Sequence, residues 1–401
     1  MMNILVSCQY YDPEPFNTSD FCEELVKRGH SVTALTGMPN YPEGELYPGY
    51  EDGKGRVECK NGVRVIRVEE HPRGKGALDR IRNYLSFWQN GRRAAKKLTE
   101  SFDAVIGYQL SPVMQVDPGL LYAKRNGIKC LVWCLDLWPV SLLAGGFSEA
   151  SLPFRWMKSV SKRIYSDADR IAVTSPLFDE YFRDELGLEI PDSAYLPQYA
   201  DEAFLSEADP ITEGFEPGKV HLTFAGNVGH AQSVETIVEA ASKMPMESQV
   251  VFHVVGSGSS LEACRARADE LRLNNIVFHG RRPVEEMPAY YAASDAMLVT
   301  FAESPMAKYT LPRKVTTYLA AGKPVLAALS GETKRVLDAA GCGIACGIED
   351  SEGLARICSE FEHSDKKDEM GQAARKYYMD NFTKEHFFNK LEALLVELTK
   401  E

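Results

Sequence analysis

Short apolar runs alternate with amphipathic stretches of helical period along most of the 401 residues. This alternation is typical of parallel βαβ units, in which a buried strand leads into a helix that covers the sheet. In the first half, the apolar runs predict strands at 3–7, 31–36, 63–68, 104–108, 129–133, 170–174 and 194–196. In the second half, they predict strands at 221–224, 249–255, 276–278, 296–299, 324–328 and 343–346.

Amphipathic segments between these runs predict the helices. The first begins near Ser19, places Phe21 and Leu25 one turn apart and ends at Gly29. Others cover 234–243, 260–271, 284–292, 315–321, 334–340 and 384–398. The pattern predicts an α/β chain of two doubly wound, Rossmann-like domains facing a central cleft. We assign residues 1–200 to the first domain, the polar stretch 201–219 to a linker, and 220–383 to the second domain.

Composition limits the classes of partner and compartment. A hydrophobic share of 44% is enough for two cores, and a net charge of −12 argues against nucleic acid as a partner. The nine cysteines form no CxxC pair, which favours a reducing compartment. The first residues are typical of a strand and not of a signal peptide, and the apolar stretch 130–147 is interrupted by Asp136 and Pro139. We therefore expect a cytoplasmic protein, with peripheral membrane contact at most.

Ligands of doubly wound sheets bind beyond the carboxyl ends of the strands, so the loops after the strands are the places to search. Two such loops in the second half are rich in glycine. The first contains Gly226, Asn227, Gly229 and Gln232 before a helix begins, so backbone N–H groups can face an anion. The second contains Gly256 and Gly258, but it lacks the complete GxGxxG spacing of a nicotinamide site.

Two further loops of the second half carry cations. Arg281 and Arg282 follow the third predicted strand of that half, and Lys314 stands at the start of a short helix. Cations near a departing diphosphate stabilise the charge that develops there. Each loop alone is weak evidence, because ordinary turns and solvated arginines look the same. Four of them on consecutive units predict a site for a phosphorylated ligand.

The motifs of these loops also resemble a known family. Phe-Ala-Gly-Asn at 224–227, Gly-Arg-Arg-Pro at 280–283, Pro-Arg-Lys at 312–314 and Ala-Ala-Gly-Lys-Pro at 320–324 resemble the donor domain of the GT-B fold, in the retaining glycosyltransferases of family 4. In the first half, residues 7–14, 28–33, 35–42 and 136–139 resemble the O-antigen and capsule branch that includes the L-fucosamine transferases. The resemblance extends over nearly the whole chain in the same order.

This resemblance implies a retaining glycosyltransferase that transfers a sugar, of N-acetylhexosamine type, from a nucleoside diphosphate. UDP is favoured over GDP, no cofactor or essential metal is expected, and the last helix, 384–401, is expected to cross back to the first domain. The catalytic candidates are Asp136, Arg281 and Lys314. The donor-binding candidates are Gly226, Asn227, Gly229, Gln232, Gly256, Gly258, Arg281, Glu303, Lys314 and Thr317. The acceptor-binding candidates are Asn17, Asn40, Tyr41, Asp136 and Trp138.

Departures from the family pattern leave two alternatives open. Thr317 stands where the family has its second motif acid, Leu135 stands where many relatives have a histidine, and Glu303 is the nearest substitute for the first acid. One alternative is a sugar-nucleotide-binding protein with impaired catalysis. The other is a UDP-sugar 2-epimerase, which is disfavoured because His230 is the only histidine on a predicted ligand loop.

Basic amphipathic segments of the first half bear on the acceptor. Residues 73–97 contain eight lysines and arginines against the single acid Asp79, and Trp88 lies on the same predicted helix. Residues 154–164 form a second basic segment, which contains Trp156. Such segments suit an anionic membrane surface, although a helix packed on the sheet with a solvated face has the same pattern. We favour an acceptor linked to polyprenyl diphosphate, reached from the inner face of the cell membrane.

Overall fold

The computed structural model describes residues 1–74, 76–190 and 193–400. The chain folds into two compact units: Met1–Leu196 with Phe388–Glu401, and Pro197–Phe387. The last helix therefore contributes most of its length to the first unit. Residues 201–219, which we predicted to be a linker, belong to the second unit, where the Ile211 N–H donates to the Ala289 carbonyl and Phe215 stacks on His253.

The first unit is built on an eight-stranded sheet in the order β3-β4-β2-β1-β5-β6-β7-β8. All neighbouring pairs are parallel except β3 with β4. The strands are β1 Asn3–Ser7, β2 Ser31–Gly37, β3 Val57–Lys60, β4 Val63–Val68, β5 Ala104–Gln109, β6 Cys130–Cys134, β7 Arg170–Val173 and β8 Ala194–Tyr195. The central strands β5 and β6 are buried throughout, as expected where helices cover both faces of a parallel sheet.

Helices of the first unit follow most of its strands. They are α1 Thr18–Lys27, α2 Ala77–Ala95, α3 Asp117–Asn126, α4 Leu152–Asp167 and α5 Phe178–Glu180, which continues into a π-helical turn at Tyr181–Glu185. A single 3₁₀ turn at Val113–Val116 precedes α3. The Ser151 hydroxyl caps α4 by accepting from the Phe154 N–H at 3.4 Å.

The second unit is built on a six-stranded, wholly parallel sheet in the order β11-β10-β9-β12-β13-β14. The strands are β9 Val220–Ala225, β10 Val250–Val255, β11 Ile276–Gly280, β12 Ala296–Thr300, β13 Val325–Ala328 and β14 Gly343–Cys346. The helices are α6 Glu235–Ala241, α7 Leu261–Glu270, α8 Met287–Ala293, α9 Arg313–Ala320, α10 Gly331–Ala340, α11 Ser351–Glu362 and α12 Lys367–Asn381. α13, Lys384–Lys400, ends the chain. One core cluster joins Phe224 and Phe252 of the sheet to Phe361 of α11.

Each sheet reverses its direction of growth at one point. In the first sheet the chain moves outward from β1 through β2 and then returns to place β5 on the other side of β1. In the second sheet, β9 and β12 flank the corresponding point. Crevices form at such points because the two flanking loops diverge to opposite faces of the sheet. The loops after β1, β5, β9 and β12 are therefore the places where ligands are expected.

The predicted strands are confirmed, with ends that differ by at most two residues. The elements that the pattern missed include one edge strand and two helices. β3 is an antiparallel edge strand whose side chains alternate only between exposed and half-buried. α11 and α12 lie near the end of the second unit, in sequence that is rich in polar residues. In the described part of the chain, no helix is long and apolar enough to cross a membrane. Lys75, within the basic segment 73–97, lies outside the described residues.

Candidate active site

Backbone hydrogen bonds join three of the predicted donor loops edge to edge. The Gly226 N–H donates to the Val255 carbonyl at 2.9 Å, and the Gly256 N–H donates to the Gly280 carbonyl at 2.8 Å. The Val228 N–H reaches the Ser257 carbonyl, also at 2.9 Å. The loops after β9, β10 and β11 thus form one continuous surface at the carboxyl edge of the second sheet.

Glycine is required at two positions of this surface. A Cβ at Gly256 would lie 1.8 Å from the Gly226 carbonyl oxygen, and the Gly256 φ of +147° is one that other residues rarely adopt. A Cβ at Gly258 would lie 2.3 Å from the Val228 carbonyl oxygen. The glycines that predicted an anion-binding loop are therefore also needed for the loops to approach each other.

Lys314, at the start of α9, brings a cation to this surface. A Cβ on Gly226 would come within 2.9 Å of the Lys314 Nζ, and that Nζ lies 3.9 Å from the centre of the Phe224 ring. No carboxylate of the described residues lies within ion-pairing distance of Lys314. Burial without an anionic partner lowers the pKa of Lys314 to about 7. An anion at Gly226 would supply the missing partner.

Tyr318, one turn along α9, holds the end of β9 in place. Its buried hydroxyl accepts from the Ala225 N–H at 3.1 Å and donates to the Ala225 carbonyl at 3.0 Å. The sequence alone does not reveal this role, because the partner of Tyr318 lies 93 positions away and no motif marks a tyrosine in this role. The predicted donor residue Thr317 is buried, and its hydroxyl donates to the Arg313 carbonyl of its own helix at 3.0 Å.

The remaining donor candidates surround the glycines. The Asn227 amide donates to the Gln232 side-chain oxygen at 2.9 Å, so these two residues brace each other across Gly229. Glu303 is exposed and directly follows Ala302, whose N–H donates to the Ala231 carbonyl at 3.1 Å. The loop after β12 is therefore tied to the loop after β9, and Glu303 stands at the edge of the same surface.

The two arginines after β11 differ in environment. Arg281 is exposed, and no hydrogen bond or ion pair of its side chain occurs among the described residues. Arg282 is half-buried, and its Nε is enclosed without a hydrogen-bond partner in the described structure. Arg281 is therefore the one whose guanidinium is open to an incoming anion.

In the first unit, three residues form a polar relay after β5 and β6. The Ser111 hydroxyl donates to Asp136 Oδ2 at 2.8 Å and accepts from the Trp138 Nε1–H at 3.0 Å. Burial raises the pKa of Asp136, and the Ser111 hydrogen bond opposes that rise. The sequence predicted Asp136 and Trp138 but not Ser111, which lies on another loop.

Asn40 and Tyr41 meet the opening loop through a buried carboxylate. Glu14 accepts the backbone N–H groups of Asn40 and Tyr41 at 2.9 and 2.8 Å, and that of Tyr11 at 3.3 Å. Burial raises the pKa of Glu14 to about 7. Glu14 thus pins the loop after β1 to the loop after β2.

A second carboxylate, Glu70, collects three side-chain amides. Gln9 and Asn83 donate to it at 3.0 and 3.1 Å, and the Asn40 amide donates to it as well. Burial and the nearby charge of Glu14 raise the pKa of Glu70 well above its usual value. Glu70 is marked by no motif in the sequence, because its three partners lie on three separate segments of the chain.

Two further observations complete the site. Asn17 is half-buried just before α1, where its carbonyl accepts from the Phe21 N–H at 2.9 Å and its side chain makes no capping bond. Within the described residues, no group of three or more histidine, cysteine or acidic side chains is arranged to hold a metal ion.

The comparisons with known proteins agree with this geometry. The family model described as glycosyl transferase 4-like domain matches residues 17–197, and the one described as glycosyl transferases group 1 matches residues 206–377. Together they span most of the chain, one in each unit. The chain is a glycosyltransferase with the GT-B fold. The prediction of a GT-B fold with two Rossmann-like domains is thereby confirmed.

This glycosyltransferase is also similar to individual proteins of known name or structure. It is 28% identical to the glycosyltransferase WbjE of Pseudomonas aeruginosa over 295 residues, which cover 71% of this chain and 72% of WbjE. It is 23% identical to WcaI of Escherichia coli strain K12, a glycosyl transferase named for colanic acid biosynthesis, over 80% of this chain and 82% of WcaI. The structure of HepE from Anabaena in complex with UDP-glucose superposes with a TM-score of 0.72 at 15% identity, over 99% of this chain and all of HepE.

Proposed function

We propose that this glycosyltransferase moves a sugar of N-acetylhexosamine type from UDP to a growing surface polysaccharide, with retention of anomeric configuration. The observation that carries the donor half is Lys314. Its ammonium lies against Gly226 at the point where the second sheet reverses, and no carboxylate of the described residues neutralises it. A β-phosphate placed on the glycine loops would face backbone N–H groups and this cation together.

UDP is favoured over GDP as the carrier because HepE, a protein of the same fold, is described in complex with UDP-glucose. The N-acetylhexosamine assignment rests on the resemblance of the loop motifs to the L-fucosamine transferase branch. Lys314 and Arg281 would take the role that a divalent metal plays in other nucleotide-sugar enzymes. We expect transfer without cofactor and in the presence of a chelator.

In the proposed reaction, the bond between the sugar C1 and the β-phosphate oxygen breaks. The acceptor oxygen bonds to C1 from the same face, and the acceptor's proton passes to the departing phosphate oxygen. The role of Lys314 is to stabilise the charge that develops on that phosphate. The role proposed for Asp136, held by Ser111, is to bind the reacting sugar or the acceptor hydroxyl.

The proposed acceptor is a saccharide linked to polyprenyl diphosphate. WcaI is named for colanic acid biosynthesis, and the first unit carries apolar and basic residues on the same helices. Trp88 of α2 and Trp156 of α4 meet edge to face at 6.3 Å. Leu78, Leu152 and Trp156 are exposed beside basic residues of these helices, as on a surface that binds anionic lipid.

The proposed transfer is tested with UDP-N-acetylhexosamines and synthetic polyprenyl-diphosphate saccharides in the presence of EDTA. We expect a product with the donor's anomeric configuration, assigned by NMR, and calorimetric binding of UDP. An inverted product would exclude the retaining mechanism. UDP binding without transfer to any acceptor would favour a catalytically impaired binding protein. Isomerisation of the UDP-sugar without an acceptor would favour a 2-epimerase.

Membrane contact needs its own measurement, which is co-sedimentation with vesicles. Vesicles that contain phosphatidylglycerol should retain the protein at low salt, and purely zwitterionic vesicles should retain much less. The charge-neutralising pair Arg80→Gln and Arg82→Gln should reduce the retained fraction, because each basic residue near an anionic surface contributes about 1 kcal/mol. Equal retention by both vesicle types would exclude an electrostatic membrane surface.

A further inference from the structure

The first unit contains an arginine that has no role in the proposed transfer so far. Arg73 follows β4, and its Nη1 donates to the Tyr10 hydroxyl at 2.7 Å. Its guanidinium carbon lies 5.0 Å from the centre of the Tyr41 ring and 5.4 Å from that of Tyr84. The cation is therefore enclosed by three tyrosines and is half-buried.

The backbone of Arg73 is fixed as well as its side chain. The Arg73 N–H donates to the Asn40 side-chain oxygen at 2.7 Å. A Cβ at Gly44 would lie 2.4 Å from the Arg73 carbonyl oxygen, so the chain passes close against the loop after β2. A guanidinium held at both backbone and side chain loses little freedom when it binds a ligand.

Among the described residues, Arg73 has no anionic partner. No carboxylate lies within ion-pairing distance of it among the residues that the structure describes. Two acids of the cluster already accept hydrogen bonds. Glu14 accepts from the backbone N–H groups of Tyr11 and Asn40, and Glu70 accepts from the Asn40 side-chain amide. Burial raises the pKa of both carboxyls, which limits the negative charge they place near Arg73 at neutral pH.

Three aromatic rings cluster beside this cation. Tyr10 stacks on Phe16 with ring centres 4.4 Å apart, and Tyr41 meets both rings at 5.9 and 5.0 Å. Phe16 and Tyr41 are partly exposed, so their faces can receive the apolar side of a sugar ring.

We propose that Arg73 binds an anionic oxygen group of the acceptor, while Phe16 and Tyr41 stack on the sugar that carries or adjoins it. The guanidinium suits a carboxylate or a phosphate equally, because both present paired oxygens to its fork of N–H groups. The anion is therefore either the carboxylate of an acidic sugar or the diphosphate of the lipid carrier. This inference rests on the proposed function, since it takes the first unit as the acceptor side.

Three small probes distinguish these sources by calorimetry on the full chain. They are octyl β-D-glucuronide, octyl β-D-glucoside as its neutral analogue, and farnesyl diphosphate. We expect at least one anionic probe to bind at least about tenfold more tightly than the glucoside, since hydrogen bonds to charged groups are the stronger ones. Preference for the glucuronide identifies an acidic sugar, and preference for farnesyl diphosphate identifies the carrier.

Variants assign the effect to the residue. Arg73→Gln should lose about tenfold or more in affinity for the preferred probe, and Arg73→Lys should recover part of it because a lysine keeps the charge but not the fork. The control is Arg56→Gln, which makes the same charge change at an exposed residue paired with Glu69. Thermal unfolding of each variant separates a lost contact from a lost fold.

Three results would overturn the inference: no preference for either anionic probe, equal loss with Arg56→Gln, or unchanged affinity in a folded Arg73→Gln variant. UDP binding is measured on the same samples. If UDP fails to bind, the donor proposal fails independently of Arg73. If UDP binds normally and the anionic probes do not, only the acceptor inference fails.

Discussion

The two units place their candidate sites at the same topological position but build them from different atoms. In the second unit the surface is mostly backbone, brought together by Gly256 and Gly258 and completed by the cation of Lys314. In the first unit it is a network of side chains, in which Glu14 and Glu70 gather donors from several loops. A backbone surface suits a diphosphate, which UDP-sugars and GDP-sugars share. A network of side chains suits the recognition of one acceptor among chemically similar ones.

The largest expected effect tests whether the donor surface depends on the close contact between the backbones of the loops after β9 and β10. Gly256→Ala would place a Cβ 1.8 Å from the Gly226 carbonyl and force an unfavourable φ. We expect a loss of roughly 2–5 kcal/mol in the free energy of unfolding, with loss of UDP binding. Chemical denaturation and calorimetry measure the two effects.

The matched control for that variant is Gly347→Ala, where an added Cβ would meet only Asp350 Cβ at an ordinary 3.6 Å. It should change neither stability nor UDP affinity appreciably. A stable Gly256→Ala protein with normal UDP affinity would contradict the close approach of these loops.

The second effect separates binding from stability at Lys314. Lys314→Met should reduce kcat/KM by about 100- to 1,000-fold, the usual consequence of removing one group that stabilises developing charge. Its free energy of unfolding near pH 7 should not fall and should tend to rise, because the pKa of Lys314 is lowered by burial and the charged form is disfavoured in the fold.

The control is Lys334→Met, which removes an exposed lysine paired with Asp338 one turn away. It should leave kcat/KM unchanged. If Lys314→Met lost stability and activity in parallel, Lys314 would be a structural residue and the donor site would need another cation.

The glycine turns of the second unit can be recognised from the sequence because each of them is local. A turn between a strand and a helix is contained within about ten residues, as at 224–233, whereas the prediction that Lys314 lies on the same surface rests on the rule that ligands bind beyond the ends of the strands. Ser111 and Glu70 could not be assigned in the same way. Their roles depend on partners such as Asp136 and Gln9, which lie 25 and 61 positions away.

Fold prediction followed the same rule. The central parallel strands β5 and β6 were found because each is a mostly apolar run, as strands buried on both faces are. β3 was missed because it is a half-exposed edge strand, and α12 was missed because few of its side chains are buried. Thr317 shows how far a motif can predict function. The motif identifies the position, but only the structure shows that the Thr317 hydroxyl donates to the Arg313 carbonyl.

The third effect asks whether Lys314 titrates when the donor binds. The pKa of Lys314 is about 7 in the free protein, and a diphosphate at Gly226 should raise it. Between pH 7.5 and 8.5, UDP binding should therefore take up a proton, and its affinity should fall with rising pH by up to about tenfold per unit. Calorimetry in buffers of different ionisation enthalpy counts the protons taken up. Lys314→Met should abolish this uptake, and uptake that persists in the variant would assign the proton to another group.

The smallest expected effect concerns the first unit and the hydrogen bond between Ser111 and Asp136. Ser111 donates to Asp136 Oδ2, and this bond opposes the rise in the pKa of Asp136 that burial causes. Ser111→Ala should therefore raise that pKa further, so that the carboxylate is lost at a higher pH as the solution is acidified. We expect the acid limb of the pH–kcat profile to move up by about one unit, since a hydrogen bond to a charged group contributes about 1.5–3 kcal/mol and one unit corresponds to about 1.4 kcal/mol.

The exposed Ser101→Ala variant is the control for this shift, and UDP affinity should be the same in both proteins because the donor surface is built without Ser111. A lower kcat at every pH with an unmoved acid limb would mean that Ser111 only supports the fold around Trp138. A moved limb with unchanged UDP affinity would place the titrating carboxylate in the first unit. The first unit would then contribute side-chain chemistry to transfer, whereas the second unit holds the nucleotide largely through its backbone.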